Sequence, residues 1–348
     1  MQAIRINSRE IGPGHPTYII AEMSANHSQD FAQAVKILET ARQAGADGVK
    51  LQTYTPDTLT IDCNNEYFRI KETLWEGKTL YDLYNEAYMP WEWQPKLKEI
   101  ADSLGLDLFS TPFDSTAVDF LEDMGVPAYK VASFELIDLP LLRRVAATGK
   151  PVILSTGMAS LAEIDEAVQG IRQAGGKDLA LLKCTSAYPA PIEEANLRTL
   201  PHLSQAFDVP VGLSDHTIGL VTPVAAVALG ACIVEKHFTL SRSMSGPDSA
   251  FSMEPEEFRT MVNAIRETEK ALGKISYETT ENEKSSRVFR RSLFVVKDMQ
   301  KGEEFTERNV RSIRPGYGLH TRYLEEVLGR RAAKEVPKGT PLDWSLIG

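Results

Sequence analysis

Short apolar runs alternate with longer amphipathic segments along the chain as far as residue 272. In the first long segment, Phe31, Ala34, Val35 and Leu38 repeat at helical spacing before Gly45 ends the pattern. The short runs predict strands at 18–21, 48–52, 106–110, 128–131, 152–154, 179–183, 211–213 and 232–235. Helices are predicted between them, with a last helix at 254–272. Eight such units predict a parallel (β/α)8 TIM barrel.

Polar side chains lie at the end of each predicted strand or directly after it. In a parallel barrel all strand ends open on one face, where the loops build a single site. These residues are Glu22, Lys50, Gln52, Ser110, Thr111, Lys130, Ser133, Ser155, Thr156, Lys183, Cys184, Thr185, Ser214, Asp215, His216, Glu235, Lys236 and His237. The arrangement predicts an enzyme.

Two stretches depart from the alternation. Residues 53–89 are aromatic and charged, which favours a functional loop such as a lid over the substrate. Residues 274–289 have the polar composition of a linker. Residues 290–348 contain short β-type runs between Gly and Pro turns. We therefore predict a barrel domain over 1–273, a linker over 274–289 and a small β-rich domain over 290–348.

Composition narrows the class of protein. The 348 residues exceed the roughly 250 of a bare barrel, which leaves room for the second domain. A net charge of −10 argues against a nucleic-acid partner. No apolar run approaches the length of a membrane span, so no membrane association is predicted. Three scattered cysteines favour a reducing compartment, and we predict a cytoplasmic protein.

His216 and His237 end neighbouring predicted strands and are candidate ligands of one divalent ion. Two ligands with open positions suit octahedral Mn²⁺ or Mg²⁺ better than a closed zinc site. The alternative is a pair of hydrogen-bonded structural histidines. Glu235 lies on the same side of its strand as His237 and could orient it, or could instead pair with a lysine.

Lysines at four strand ends, namely Lys50, Lys130, Lys183 and Lys236, predict an anionic substrate because unpaired buried charge is costly. Thr111, Ser133, Ser155 and Ser214 would complete a carboxylate or phosphate cage. Glu22 is a candidate general acid or base. Cys184 is interpreted as a packed or cavity-lining residue. A Schiff base at Lys130 or Lys236 stays open as an alternative.

With these residues in place, the chain resembles the sialic acid synthase family from end to end. The matching stretches include 20–22, 45–53, 110–113, 130–133, 155–158, 184–189, 212–217, 235–239 and 246–248. The last domain, with Arg314-Pro315-Gly316, resembles the SAF (antifreeze-like) domain that ends these enzymes. The resemblance implies a domain-swapped homodimer in which Arg314 reaches the partner's site and contacts an acylamino group.

The resemblance also implies a reaction. Phosphoenolpyruvate would condense with the open-chain aldehyde of an acylamino sugar, giving a nine-carbon 2-keto acid and phosphate with C–O cleavage. His216 and His237 would hold the metal, for which Mn²⁺ is predicted first and Mg²⁺ or Co²⁺ as alternatives, and Glu22 would handle protons. Phosphoenolpyruvate would be bound by Lys50, Thr111, Lys130, Ser133, Ser155 and Ser214. The sugar pocket would be formed by Asp248, Gln52, Phe113, Glu135 and Tyr188.

Two motifs depart from the N-acetylneuraminate synthase pattern. Those enzymes show Asn-His-Asn-Gly and Gly-Pro-Asp-His, whereas this chain has Asn26-His27-Ser28-Gln29 and Gly246-Pro247-Asp248-Ser249. Both lie where the sugar is expected. These versions resemble the pseudaminic acid synthase branch, whose sugar is 2,4-diacetamido-2,4,6-trideoxy-L-altrose, and a less polar pocket wall is expected for a 6-deoxy sugar.

Other functions stay open at this point. Within the same chemistry, the alternatives are a legionaminate or an N-acetylneuraminate synthase. From other classes, they are a Schiff-base aldolase and a non-catalytic carbohydrate-binding protein built around the SAF domain.

Overall fold

A computed structural model describes residues 2–71, 75–244 and 246–348. The chain divides into two compact units, Met1–Gly273 and Lys274–Gly348. Each unit has its own apolar core.

Eight parallel strands close the barrel of the first unit, so the predicted (β/α)8 fold is confirmed. Around the barrel the order is β3 to β10, and β10 pairs with β3 to close it. The strands of the chain are β1 (Ile4–Ile6), β2 (Arg9–Ile11), β3 (Tyr18–Glu22), β4 (Gly48–Thr53), β5 (Asp107–Pro112), β6 (Tyr129–Val131), β7 (Val152–Ser155), β8 (Leu179–Cys184), β9 (Val211–Asp215), β10 (Ile233–His237), β11 (Ser292–Val295) and β12 (Val310–Ile313).

Helices of the first unit are α1 (Phe31–Ala44), α2 (Pro56–Leu59), α3 (Leu80–Ala87), α4 (Gln94–Leu104), α5 (Ser115–Met124), α6 (Leu139–Ala146), α7 (Leu161–Gln173), α8 (Thr199–Phe207), α9 (Val221–Ala228) and α10 (Pro255–Leu272). The second unit carries α11 (Glu281–Lys284) and α12 (Leu324–Val327). Short 3₁₀ helices lie at Ser24–His27, Trp91–Trp93, Ser133–Glu135, Ile192–Glu194, Ser249–Phe251, Ser285–Phe289, Thr321–Tyr323 and Trp344–Leu346. In the described residues, no helix combines the length and apolar character needed to cross a membrane.

Capping residues explain where these helices begin and end. Asp30 accepts hydrogen bonds from the backbone N–H groups of Ala32 and Gln33 at the start of α1, and Gly45 ends that helix in the left-handed conformation.

On α10, Phe258 and Met261 are fully buried against the strand residues Ile19 and Val234. The amphipathic helix therefore packs its apolar face on the barrel.

Three observations differ from the sequence-based expectations. Seven of the barrel strands run one or two residues beyond their predicted ends, so that Glu22, Ser155 and His237 belong to strands rather than to loops. A β-hairpin formed by β1 and β2 precedes the barrel and was not predicted. The predicted loop 53–89 contains two helices, α2 and α3.

The second unit is built on the antiparallel pair β11 and β12. Its core includes Leu293, Val295, Phe305 and Leu342, all fully buried. The segment predicted as a linker begins this unit and carries α11 and a 3₁₀ helix.

Candidate functional site

A cavity of about 550 Å³ opens at the carboxyl ends of the barrel strands. Alternate residues of each strand point into the barrel, which brings distant parts of the chain to one place. The predicted site residues that line it are Glu22, Lys50, Gln52, Phe113, Lys130, Ser133, Glu135, Ser155, Tyr188, Ser214, His216, His237 and Asp248. Thr111 is buried beneath it, with its Oγ1 3.5 Å from Lys50 Nζ. Arg314 lies in the second unit, after β12.

Lysines and carboxylates form a buried cluster at the floor of the cavity. Lys50 Nζ lies 3.2 Å from both Glu22 Oε2 and Glu235 Oε1, and Lys130 Nζ lies 3.4 Å from the same Glu235 oxygen. Ser214 donates a hydrogen bond of 3.2 Å to Glu235 Oε1. Glu235 thus pairs with lysines and does not orient His237, which decides between its two predicted roles.

The two carboxyl groups of this cluster titrate in opposite directions. Burial raises the pKa of Glu22 to about 7, and the neighbouring Glu235 charge adds to this rise while Lys50 opposes it. Burial also acts on Glu235, but Lys130 and Lys50 outweigh it and lower its pKa to about 2. Glu235 is therefore the permanent anion of the cluster, and Glu22 is the group that can exchange a proton near neutral pH.

Glu135 is a second carboxyl group with a raised pKa. Burial raises its pKa to about 7, and its Oε2 has no hydrogen-bond partner among the described residues. Ser155 Oγ is likewise buried without such a partner. Buried polar atoms in native proteins are almost always paired, so these two side chains offer hydrogen-bonding positions to water or to a polar ligand in the cavity.

His216 and His237 face each other across the carboxyl ends of β9 and β10, with ring centroids 5.3 Å apart. The Nδ1 of His216 donates to the Thr185 carbonyl at 2.8 Å, which leaves Nε2 with its lone pair. Burial lowers the pKa of His216, but the Cys184 thiol and the Thr185 carbonyl raise it by more. Burial and the His216 charge hold the pKa of His237 well below the ordinary value.

The chemistry of this pair fits a divalent ion. His237 is neutral, its Nδ1 is buried without a hydrogen-bond partner in the described part of the chain, and His216 has a fixed tautomer. Within the described ranges, His, Cys, Asp and Glu side chains do not gather in groups of three that could hold a metal. An ion here would therefore take its remaining ligands from water and substrate.

Asp248 forms a further part of the cavity lining. Its Oδ2 accepts a hydrogen bond from Ser24 Oγ and another of 3.3 Å from the Ala25 backbone N–H. Burial raises its pKa. Gln52 Nε2 donates to Glu22 Oε1 at 2.8 Å and to Ser24 Oγ at 3.2 Å, which connects this part of the lining to the lysine cluster.

Gly157 allows a close approach of two strand-end loops. Its backbone N–H donates to Ser133 Oγ at 3.0 Å. A Cβ at this position would lie 2.2 Å from Ser186 Oγ and 2.7 Å from Ser133 Oγ, so a larger residue would displace both hydroxyl groups. Ser133 is thereby fixed at the edge of the cavity.

The segment 53–89, predicted as a lid, supplies a wall of the cavity, but sequence reasoning did not identify the side chains that form it. The apolar side chains of this wall are Leu59, Ile70, Trp75, Leu80, Leu83 and Ala87. Trp75 Nε1 donates to the Pro247 carbonyl at 3.2 Å, next to Asp248. The capping box of Thr79 and Asp82, which begins α3, is the local signal that could have identified this helix. Ser24 and Tyr54 were also missed.

Two further residues predicted at strand ends, Lys236 and Cys184, differ in whether they reach the cavity. Lys236 is buried but does not line the cavity, and its Nζ pairs with Asp215 Oδ2 at 2.5 Å. It is therefore not placed to form a Schiff base, whereas Lys130 does line the cavity. Cys184 lines the cavity, with its Sγ 3.9 Å from His216 Nδ1.

Family models match both units of the chain. The NeuB family model matches residues 37–277, and the SAF domain model matches residues 290–347.

Individual relatives match nearly the whole chain. The pseudaminic acid synthase of Helicobacter pylori is 47% identical, covering 94% of this chain and 96% of its own. An N,N'-diacetyllegionaminic acid synthase of Campylobacter jejuni is 39% identical, covering 91% and 96%. The crystal structure of the Bacillus subtilis spore coat polysaccharide biosynthesis protein spsE matches with a TM-score of 0.68 and 34% identity, covering 99% of both chains.

Proposed function

The chain belongs to the NeuB family, and we propose that it is a pseudaminic acid synthase. It condenses phosphoenolpyruvate with 2,4-diacetamido-2,4,6-trideoxy-L-altrose and water to give pseudaminate and phosphate. The observation that carries this proposal is the 47% identity to the Helicobacter pylori pseudaminic acid synthase over 94% of the chain. The legionaminate synthase is more distant, at 39%.

The buried cations support the use of phosphoenolpyruvate. Lys50 and Lys130 share one carboxylate oxygen of Glu235, so while Glu22 is protonated their charge exceeds that of Glu235 and can bind the carboxylate and phosphate of the substrate. Ser155 would donate its hydroxyl proton to the same anion, since its Oγ otherwise has no hydrogen-bond partner among the described residues. Thr111 would support Lys50 from below. Ser133 and Ser214 complete the set at the edge and floor of the cavity.

The reaction forms one C–C bond and breaks one C–O bond. C3 of phosphoenolpyruvate attacks the aldehyde carbon, whose oxygen gains a proton, and water adds at C2 before phosphate departs with its bridging oxygen. Glu22 would accept the proton that the water loses. Its pKa of about 7 suits this exchange near neutral pH.

The two histidines would hold the metal, for which we propose Mn²⁺ first and Mg²⁺ or Co²⁺ as alternatives. When bound, the metal supplies a Lewis acid that polarises the aldehyde oxygen. The Thr185 carbonyl fixes the tautomer of His216, so that Nε2 can act as a ligand.

The sugar would occupy the side of the cavity formed by Asp248 and the apolar wall. Asp248 and Gln52 offer hydrogen bonds to hydroxyl and acetamido groups, while Phe113 and Tyr188 bound the space laterally. Glu135 carries an unpaired buried oxygen that can bind a sugar N–H or O–H. The methyl group of a 6-deoxy sugar would be favoured by Leu80, Leu83 and the other apolar side chains of the wall.

We further propose that the enzyme is a domain-swapped homodimer in the cytoplasm. Large apolar side chains are exposed in the loops that follow four successive strands, β6 to β9, and a partner subunit would cover them. They are Phe134, Ile137, Met158, Ile192 and Ile218. Arg314 would contact an acylamino group in the partner's site. The three cysteines are all unpaired thiols, which suits a reducing compartment.

The proposal is tested by phosphate release from phosphoenolpyruvate in the presence of Mn²⁺. The sugars compared are diacetamido trideoxy hexoses of different configuration and N-acetylmannosamine, each with and without a chelator. Chelator-sensitive release with the L-altro sugar alone is expected. Release with another sugar would replace the pseudaminate assignment by a legionaminate or N-acetylneuraminate synthase, and release that survives the chelator would contradict the metal. A lysine adduct trapped by borohydride would favour the aldolase.

A further inference from the structure

The turn that follows the 3₁₀ helix Ser24–His27 has an unfavourable backbone conformation. Ser28 and Gln29 have φ values of 48° and 52°, in the left-handed region that favours glycine. Gln29 occupies the position where the N-acetylneuraminate synthase motif has glycine. A strained non-glycine residue beside a binding cavity suggests that its side chain has a function.

The side chain of Gln29 holds the end of the lid helix α3. Its Nε2 donates to the carbonyl oxygens of Asn85 at 2.9 Å and Tyr88 at 3.3 Å. Carbonyl groups in the last turn of a helix have no partner within the helix, so a side-chain donor there stabilises the helix end. Gln29 therefore joins α3 to the barrel.

The same helix forms part of the cavity wall. Leu80, Leu83, Tyr84 and Ala87 of α3 line the cavity. Since Ala87 lies between the two residues whose carbonyls Gln29 binds, a shift at this end of α3 would move the wall directly.

The other side of the turn is bonded to the Asp248 loop. Ser24 donates to Asp248, and Asn26 accepts a hydrogen bond of 3.2 Å from Ser249 Oγ. Asn26 Nδ2 in turn donates to the Phe238 carbonyl at 3.0 Å. The two motifs that depart from the N-acetylneuraminate synthase pattern are thus parts of one hydrogen-bonded unit, which contacts the lid at one end and Asp248 at the other.

We propose that Gln29 is a positioning residue that holds α3 over the sugar. Its hydrogen bonds to α3 compensate for the unfavourable backbone conformation at this position. The assignment of the cavity wall to the sugar rests on the proposed function. The connection between Gln29 and α3 does not, and it can be measured in the free protein.

Two substitutions separate the side chain from the backbone. Gln29→Ala removes the amide and keeps the unfavourable conformation, whereas Gln29→Gly removes the amide and relieves it. Asp208→Gly is the matched control, because Asp208 has a φ of 53° at the exposed end of α8, remote from the lid in the chain.

Hydrogen exchange tests the contact itself. The amides of residues 80–88 are expected to exchange faster in both Gln29 variants and at the wild-type rate in Asp208→Gly. This result does not depend on the identity of the sugar. Unchanged exchange in both Gln29 variants would overturn the proposal even if the synthase activity is established.

Steady-state kinetics tests the consequence. In both Gln29 variants, KM for the sugar is expected to rise about three- to tenfold, which corresponds to the loss of one or two hydrogen bonds. The KM for phosphoenolpyruvate should be unchanged. The Tm of Gln29→Gly should equal or exceed that of the wild type, so that stability and sugar binding change in opposite directions. A parallel rise of both KM values, or a fall in Tm of Gln29→Gly as large as that of Gln29→Ala, would show a merely structural role.

Discussion

The carboxylate of Asp215 and the ammonium group of Lys236 form an ion pair of 2.5 Å behind the two histidines of the cavity. Each partner directly precedes a histidine in the sequence, and strand residues alternate in direction, so the pair lies on the outer side of β9 and β10. Lys236 also donates to the Thr217 carbonyl. The pair therefore ties together the two strand ends that carry His216 and His237.

Replacing Lys236 by methionine is expected to destabilise the protein by about 3–5 kcal/mol, because the Asp215 carboxylate would stay buried without its cation. Chemical denaturation measures this loss. Metal titration of the folded variant should also show weaker binding, since the histidines are no longer held in register.

The double variant Asp215→Asn, Lys236→Met is the control for this pair. It should lose less stability than the sum of the two single variants, because neither charge is left alone. Additive losses would mean that the two groups do not interact in solution.

The rate of the reaction is expected to rise with pH through about 7. Glu22 must be ionised to accept a proton, and burial raises its pKa to about 7. Glu135 has a similar pKa, so the profile of kcat/KM must be recorded for both amide variants. The inflection should disappear in Glu22→Gln and persist in Glu135→Gln. The reverse pattern would assign the proton transfer to Glu135.

Stability should depend on pH through the same group. The folded-state pKa of Glu22 lies above its ordinary value of 4.5, so between pH 4.5 and about 7 the folded protein binds up to one more proton than the unfolded chain. The stability that this proton confers is present below pH 4.5 and is lost as the pH rises to about 7. Glu22→Gln should therefore gain stability relative to the wild type over this range, as measured by denaturation at several pH values. A constant difference would show that the pKa is not raised.

The residues at the strand ends were predictable because the carboxyl ends of all strands in a parallel barrel lie at the same face. Once eight strands are recognised, Lys50, Lys130, Ser155, His216 and His237 must converge at one face, and the structure places them around one cavity. The partner of Glu235 was not predictable in the same way. Alternation gives the side of the strand on which it lies, but the choice between His237 and the lysines depends on distances between strands.

The apolar wall of the cavity could not be predicted from the sequence for a different reason. Residues 54–89 have no repeating sequence pattern that relates them to the barrel, and single contacts such as that between Trp75 and Pro247 hold the described part of the segment in place. A single sequence does not encode such contacts as a local signal. For the same reason, the hydrogen bonds from Gln29 to the end of α3 could be identified only in the structure. The sequence showed only that Ser28-Gln29 departs from the N-acetylneuraminate synthase pattern.

Arg314 provides the test of the proposed domain swap. The resemblance predicts that each Arg314 serves the site of the partner subunit, so Arg314→Ala homodimers should be nearly inactive. His237→Ala homodimers should be inactive because they lack a metal ligand. A mixed dimer, purified through two different tags, combines one subunit of each kind.

In a swapped mixed dimer, one site receives both defects and the other receives neither. The mixed dimer should therefore recover about half of the wild-type activity, because one of its two sites is intact. If Arg314 served its own subunit, each site would carry one defect and the mixed dimer would stay inactive. Light scattering on the same sample checks that the mixed species is a dimer, which separates a failure of the swap from a failure to associate.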